Sequence, residues 1–121
     1  MAVQALAEDV SVGAQARACM EVDGVVDHHS AGVCFGQETQ AWEARIAMAM
    51  DALAQVPPGA SGAADLDAVA GAFEAHRAAT CEAAGVLWPG MSGSGEAWAE
   101  CRMALTAAHA LRLEHWLEVL E

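Results

Sequence analysis

Apolar residues recur at intervals of three and four along several stretches of the chain, the spacing that places them on one face of an α-helix. The clearest stretch runs from about Phe35 to Gln55, and Pro57, Pro58 and Gly59 follow it. Proline lacks an amide and disfavours helix in the residue before it, so we expect the helix to stop there. Its predicted apolar face consists of Phe35, Thr39, Trp42, Ile46, Ala49, Met50 and Leu53.

Three further helices are predicted on the same grounds. The first runs from about Asp9 to Val22, and the third begins at about Asp65, a residue type that caps helix N-termini. The fourth runs from about Glu96 to near the C-terminus, after a Gly/Ser-rich segment, residues 91–95, that we expect to be a flexible loop. The third stripe is Leu66, Val69, Phe73, His76 or Arg77, Thr80 and Ala84; the fourth is Trp98, Cys101, Leu105 and Ala108, then Leu113, Trp116, Leu117 and Leu120.

These elements predict an all-α fold, a small antiparallel bundle of about four helices. The 121 residues are enough for one domain, which we place at residues 8–121. Alanine supplies much of the apolar composition, so the helices should pack closely through small side chains, with few large anchors. Residues 1–7 contain a small-x-small pattern, Ala5-Leu6-Ala7, and are expected to be the remnant of an export signal or an added start.

The net charge of the chain limits the classes of molecule that it is expected to bind. Seventeen acidic residues against five arginines and no lysine give a formal net charge of −12. Such a surface repels phosphate backbones and anionic lipid, so nucleic acid and membrane insertion are both disfavoured. It would speed the encounter with a basic protein partner, although acidity can also serve solubility alone. The pattern does not indicate an oligomeric state.

Four cysteines in a chain this short are typical of an oxidising compartment, and we expect a periplasmic or secreted protein. The sequence contains no CxxC or HxxxH motif, so no metal is expected. Four cysteines permit three connectivities. Facing residues of a helical hairpin lie at equal distances from the turn, and this symmetry pairs Cys19 with Cys34 and Cys81 with Cys101.

An up-and-down order of helices would place both disulfides and the first and third connections at one end of the bundle. Loops held on a rigid scaffold are common binding sites, so this end is the predicted partner-binding surface. The alternative is that these segments are ordinary connections. The candidate contact residues are Asp23, Asp27, His28, His29, Trp88 and Met91.

No constellation of residues indicates catalysis or a cofactor, and we predict that the chain is not an enzyme. Adjacent side chains such as His28 and His29 point apart, which disfavours a shared metal. Arg77 is expected to form a structural ion pair across the bundle with Glu38 or Glu43, rather than to serve catalysis.

Three segments resemble the LprI-type lysozyme-inhibitor-like family. The segment from Cys101 to Glu114 resembles its closing helix, in which a cysteine is followed by Leu-Thr and then by an Arg/Leu-rich run. The segment from Phe73 to Cys81 resembles its aromatic-x-x-aromatic-Arg-Asp-x-x-Cys pattern. Residues 34–43 resemble its Cys…Glu-x-x-x-Trp-Asp pattern. The likeness spans about Cys19 to Leu117. The chain departs from the family's Leu-Asn-x-x-Tyr pattern, where it has Ile46, Ala47 and Met50, and it has His76 and Ala78 where the family has an aromatic residue and Asp.

The resemblance implies an exported helical domain, and lysozyme inhibition is assigned to a founding member of the family. We therefore expect a binding protein that inhibits or sequesters a basic, lysozyme-like enzyme through the disulfide-stapled end. The alternative is a structural or assembly module of the cell envelope that acts through a helix face, with Trp116, Leu117 and Leu120 as the patch to test.

Overall fold

The computed structural model of the chain describes residues 11–23, 27–88 and 91–120, apart from the side chains of residues 23 and 91–94. This part of the chain forms four α-helices, which confirms the all-α prediction. Asp9, the predicted start of the first helix, and the N-terminal segment 1–7 lie outside the described residues, but residues 11–13 form a turn, so this helix begins later than predicted, at Ala14. The helices are α1 (Ala14–Asp23), α2 (His28–Ala54), α3 (Leu66–Leu87) and α4 (Met91–Leu120).

The second helix begins seven residues earlier than its apolar pattern predicts, at His28 rather than Phe35. Asp27 provides the reason, because its carboxylate accepts a hydrogen bond from the Ser30 amide at 2.8 Å and caps the helix. Gly32 and Gly36 weaken the local helix signal in the sequence. His28 and His29, which were predicted to lie in a loop, therefore lie in the first helical turn.

The fourth helix also begins early, at Met91 rather than Glu96. The Gly/Ser-rich segment that was predicted to be a flexible loop is the first part of this helix. Its low intrinsic helix preference is overridden by tertiary contacts just beyond it, where Glu96 meets His28 and the Cβ of Ala99 lies beside Gly32. The third helix begins as predicted, with the Asp65 carboxylate accepting from the Ala68 amide at 3.0 Å.

Both predicted disulfides are confirmed: Cys19 is bonded to Cys34, and Cys81 to Cys101. The first joins the antiparallel pair α1 and α2, and the second joins the antiparallel pair α3 and α4. Each hairpin is therefore closed by its own covalent link.

The two hairpins pack so that α2 and α4 run parallel. His28 of α2 contacts Glu96 of α4, 68 residues on, and Arg45 contacts Glu114, 69 residues on. Two helices run parallel when the contacting residues differ by a constant residue number along their length. Cys34 and Cys101 are separated by almost the same offset, so the two disulfides lie at the same level of the bundle, at the end where α2 and α4 begin.

Small side chains form much of the core, as the composition predicts. Ala16, Ala31, Ala99, Ala107 and Ala110 are all buried, and larger anchors fill the space between them. A close approach of α2 and α4 requires small residues at the contact, as where Gly32 faces Ala99. The anchors in the buried core cluster are Cys34, Phe35, Trp42 and Met103.

The predicted apolar face of α4 was wrong in its first half and is displaced by one position. Ala99 is buried there, whereas Trp98 is 45% exposed. Of His76 and Arg77, the two alternatives for the core-facing position of α3, Arg77 is buried and His76 is exposed. No helix among the described residues is long and apolar enough to span a bilayer.

Candidate functional site

A cleft of about 480 Å³ opens at the disulfide-stapled end, between the first turns of α2 and the facing turns of α4. We call it the stapled-end cleft. One wall is polar and the other is apolar and exposed, an arrangement that suits a ligand with both characters. It is lined by His28, His29, Gly32, Val33, Gly95, Glu96, Trp98 and Ala99.

The polar wall is built around a side-chain contact between the two parallel helices. His28 Nδ1 lies 3.0 Å from Glu96 Oε2, and more than half of the His28 side chain is exposed to solvent. The capping residue Asp27 sets where α2 starts and therefore which residues reach the cleft. The amide and hydroxyl of Ser30 donate hydrogen bonds to Asp27 and hold the pKa of its carboxyl below the usual value.

The apolar wall consists of Trp98 and Val33, which are about half exposed. The Arg102 guanidinium lies 4.9 Å from the centroid of the Trp98 ring, in cation–π geometry. The Trp98 ring is therefore already in contact with one cation, the Arg102 guanidinium. A large aromatic side chain held at the rim of a cleft is a typical anchor of protein–protein interfaces.

The structure brings some of the predicted contact residues into this cleft and leaves others outside it. His28 and His29 line it, and Asp27 caps the helix at its edge. Trp88 is about half exposed where α3 ends, but it does not line the cleft. The side chains of Asp23 and Met91 lie outside the described residues, although both residues belong to helices.

Sequence reasoning missed Glu96 and Trp98 as site residues. The spacing of apolar residues along the fourth helix predicts that Trp98 faces the core, and Glu96 is interpreted only as the first residue of that helix. The cysteine framework held a usable signal, because a parallel α2 and α4 with Cys34 and Cys101 at one level must bring His28 close to Glu96.

Arg77 occupies a different position, at the centre of a polar cluster between α2, α3 and α4. Its Nη1 donates to Glu43 at 2.9 Å and to the Thr106 hydroxyl at 3.0 Å, and its Nη2 donates to Glu74 at 2.5 Å. The guanidinium also lies 4.9 Å from the centroid of the Phe73 ring. Because these contacts use its donors within the fold, Arg77 acts as a bundle crosslink.

His109 completes this cluster. Its ring stacks on Phe73 with the centroids 4.1 Å apart. Burial lowers the pKa of His109, and the positive charges of Arg112 and Arg77 lower it further. Both effects favour the neutral form of the stacked ring over the protonated form.

Glu38 does not pair with Arg77 but serves α1 instead. Its buried carboxylate accepts hydrogen bonds from the Gly13 amide at 2.7 Å, the Ala16 amide at 2.9 Å and the Trp42 indole at 2.7 Å. Gly13 immediately precedes α1 and Ala16 lies in its first turn, where helix amides lack intrahelical partners. Gly13 has a positive φ of 85° and no side chain that could cap the helix, so a residue of α2 caps it from across the hairpin.

Within the described residues, no group of three His, Cys, Asp or Glu side chains is arranged to hold a metal ion. The stapled-end cleft presents a partly exposed carboxylate, two imidazoles and an indole.

The chain matches a known protein family. The family model of the lysozyme inhibitor LprI matches residues 19–113, a range that holds all four cysteines, the second half of α1, all of α2 and α3 and most of α4. The chain belongs to the lysozyme inhibitor LprI family. This confirms the resemblance seen in the three sequence segments. No curated protein and no solved structure matches the chain in the corresponding comparisons.

For this LprI-family chain, the matched range begins at Cys19 and so includes both disulfides, Arg77 and the whole stapled-end cleft. Disulfides of this kind are typical of proteins that fold outside the reducing cytoplasm. Family membership indicates a binding protein rather than an enzyme, because the family is described by inhibition.

Proposed function

We propose that this protein is an exported inhibitor that binds a basic, lysozyme-like glycoside hydrolase through the stapled-end cleft. The observation that carries the proposal is the family match over residues 19–113. The net charge of −12 supports a cationic target, because opposite charges steer the encounter of the two proteins.

The cleft suits a basic side chain of the target. An arginine or lysine can pair with the Glu96 carboxylate, which is partly exposed, while its charge or stem lies over the exposed face of Trp98. His28 holds Glu96 in place without enclosing it. Asp23, Trp88 and Met91 stay proposed contacts at the rim of the same end.

Inhibition by such a protein needs no covalent chemistry. The helices at the stapled end are fixed by two disulfides, so little conformational entropy is lost when they meet the target. A rigid end seated over a substrate cleft excludes the polysaccharide, and the target enzyme loses activity in proportion to its occupancy.

Isothermal titration calorimetry and a cell-wall lysis assay with commercial egg-white lysozyme test this proposal. We expect Trp98→Ala to weaken binding by about tenfold or more, the loss typical of an interface anchor. Glu96→Gln should weaken it less and should reduce the dependence on salt. The matched control is Trp116→Ala, which removes a comparably exposed indole at the other end of the bundle.

The proposal fails if the wild-type protein neither inhibits the enzyme nor releases heat on mixing at low salt. The stapled-end cleft is not the binding site if Trp116→Ala weakens the complex as much as Trp98→Ala does. Trp88→Ala measured alongside shows whether the rim of the cleft takes part.

A further inference from the structure

A second and larger groove lies at the opposite end of the bundle. It has a volume of about 740 Å³ and forms where α2 ends, α3 begins and the last turns of α4 pass the connection between them. We call it the unstapled-end groove. Its walls are mainly apolar and include Leu53, Val56, Pro57, Leu66, Trp116 and Leu120.

Large apolar side chains in this groove are open to solvent. Val119 is 69% exposed, Leu120 is 57% exposed, and Trp116 and Val56 are each 37% exposed. Exposed apolar side chains gathered at one groove, rather than scattered singly, mark a surface that binds a partner. Leu117, which was predicted to belong to the same patch, is half-buried and does not line the groove.

Acidic side chains outnumber basic ones in the chain segments that form the groove. The two chain segments that line it, residues 53–69 and 115–120, contain three acidic residues, one histidine and neither arginine nor lysine. Glu114 is paired with Arg45, while Asp67 and Glu118 lie on exposed helix surface beside lining residues. A ligand of this groove must therefore combine apolar groups with positive charge.

We infer that the unstapled-end groove binds a basic amphipathic helix of a partner protein. The apolar face of that helix would pack on Trp116 and Leu120, and its lysines or arginines would lie along the acidic rim near Asp67 and Glu118. A second copy of this chain would bring the same acidic rim against itself, and anionic lipid would be repelled. Charge complementarity thus selects the basic helix.

This surface is separate from the stapled-end cleft, which we propose for lysozyme-like enzymes. Glu96 and Trp116 are 20 residues apart on α4, which separates the two sites by roughly 30 Å along the helix axis. Both sites can be occupied at once, so the protein would join a target at the stapled end to a second protein at the other.

Fluorescence anisotropy with a labelled leucine–lysine peptide of about 14 residues, a length that forms an amphipathic helix of about four turns, tests the inference on the full chain. We expect binding that weakens with salt. Leu120→Ser should weaken it by about tenfold, and Glu118→Gln should weaken it less. The matched control is Leu87→Ser, which removes an exposed leucine at the stapled end of α3.

The inference is overturned if the leucine–lysine peptide does not bind, or if Leu87→Ser weakens binding as much as Leu120→Ser. Equal binding of a leucine–glutamate peptide would also overturn it, because charge would then play no part. Self-association that Leu120→Ser abolishes in light scattering would assign the groove to a second copy instead. Trp98→Ala should leave peptide binding unchanged, so failure at this groove is distinguishable from failure at the stapled-end cleft.

Discussion

Replacing Glu38 with alanine should destabilise the protein more than any other single change on α2 that leaves the apolar core intact. The carboxylate is only 2% exposed and accepts three N–H bonds, two of them from the first turn of α1. Alanine would leave these donors buried and without partners.

The magnitude follows from those three bonds. A hydrogen bond to a charged group contributes roughly 1.5–3 kcal/mol, and leaving its partner unsatisfied costs a similar amount. The three are not additive, because water can enter the space that the side chain vacates and the Cys19–Cys34 disulfide still holds α1 nearby. We expect Glu38→Ala to lower the free energy of unfolding by about 3–5 kcal/mol, or roughly 10–20 °C in Tm for a domain of this size.

Glu38→Gln provides an intermediate step. Its amide keeps one oxygen acceptor, which can serve Gly13 and Trp42, but it turns a donor toward the Ala16 amide. We expect a loss of about 1–2 kcal/mol. Gln40→Ala, an exposed change on the same helix, is the control and should lie within about 0.5 kcal/mol of the wild type.

Denaturant unfolding followed by circular dichroism measures these values, and hydrogen exchange locates the effect. Amides of α1 should lose protection first in Glu38→Ala, because their anchor is gone while α2 and α4 still pack. If Glu38→Ala falls within about 1 kcal/mol of the wild type, or if the alanine and glutamine variants are equal, the capping role is wrong.

Three further predictions concern other parts of the molecule. Because burial lowers the pKa of His109 in the fold, the unfolded chain takes up its proton first, so unfolding free energy should fall as the pH drops below about 6.5; His109→Gln should flatten that part of the profile in urea titrations from pH 7.5 to 5. The double variant Cys81→Ser/Cys101→Ser should lose about 3 kcal/mol in denaturant unfolding, whereas an unchanged midpoint would show that the 20-residue link does not restrict the unfolded chain. Gly13→Ala should lower Tm by several degrees, since its φ of 85° is strained for alanine and the new Cβ would lie 2.8 Å from Arg17 Nη1; calorimetry showing no loss would contradict this.

Much of the fold could be predicted from sequence because its signals are local. Phe35, Trp42 and Ala49 repeat along α2, Asp65 caps α3, and the symmetry of the cysteines about two connections sets their pairing. The first turns of α2 and α4 could not be predicted in this way. They contain glycine and serine, which weaken the helix signal; Asp27 caps α2, and contacts at Glu96 and Ala99, just beyond the Gly/Ser segment, support the start of α4.

The candidate site was harder to predict for a related reason. Spacing along α4 allows either Trp98 or Ala99 to face the core, and only the close approach of α2 at Gly32 makes the small residue the buried one. Glu96 enters the stapled-end cleft because α2 and α4 are parallel neighbours. Pairings between elements far apart in sequence are set by tertiary packing, which a periodic pattern along one helix does not contain.

The two disulfides leave the two hairpins without a covalent crosslink to each other. Each links residues within one hairpin, Cys19 to Cys34 and Cys81 to Cys101, and all four cysteines are used in this way. The connection between α2 and α3, residues 55–65, is therefore the single covalent route between the hairpins. A protease that cut there would yield two internally cyclised fragments, held together only by packing and by ion pairs such as Arg45–Glu114. Such a split molecule would dissociate on dilution, which makes this exposed connection the point where one domain becomes a two-piece complex.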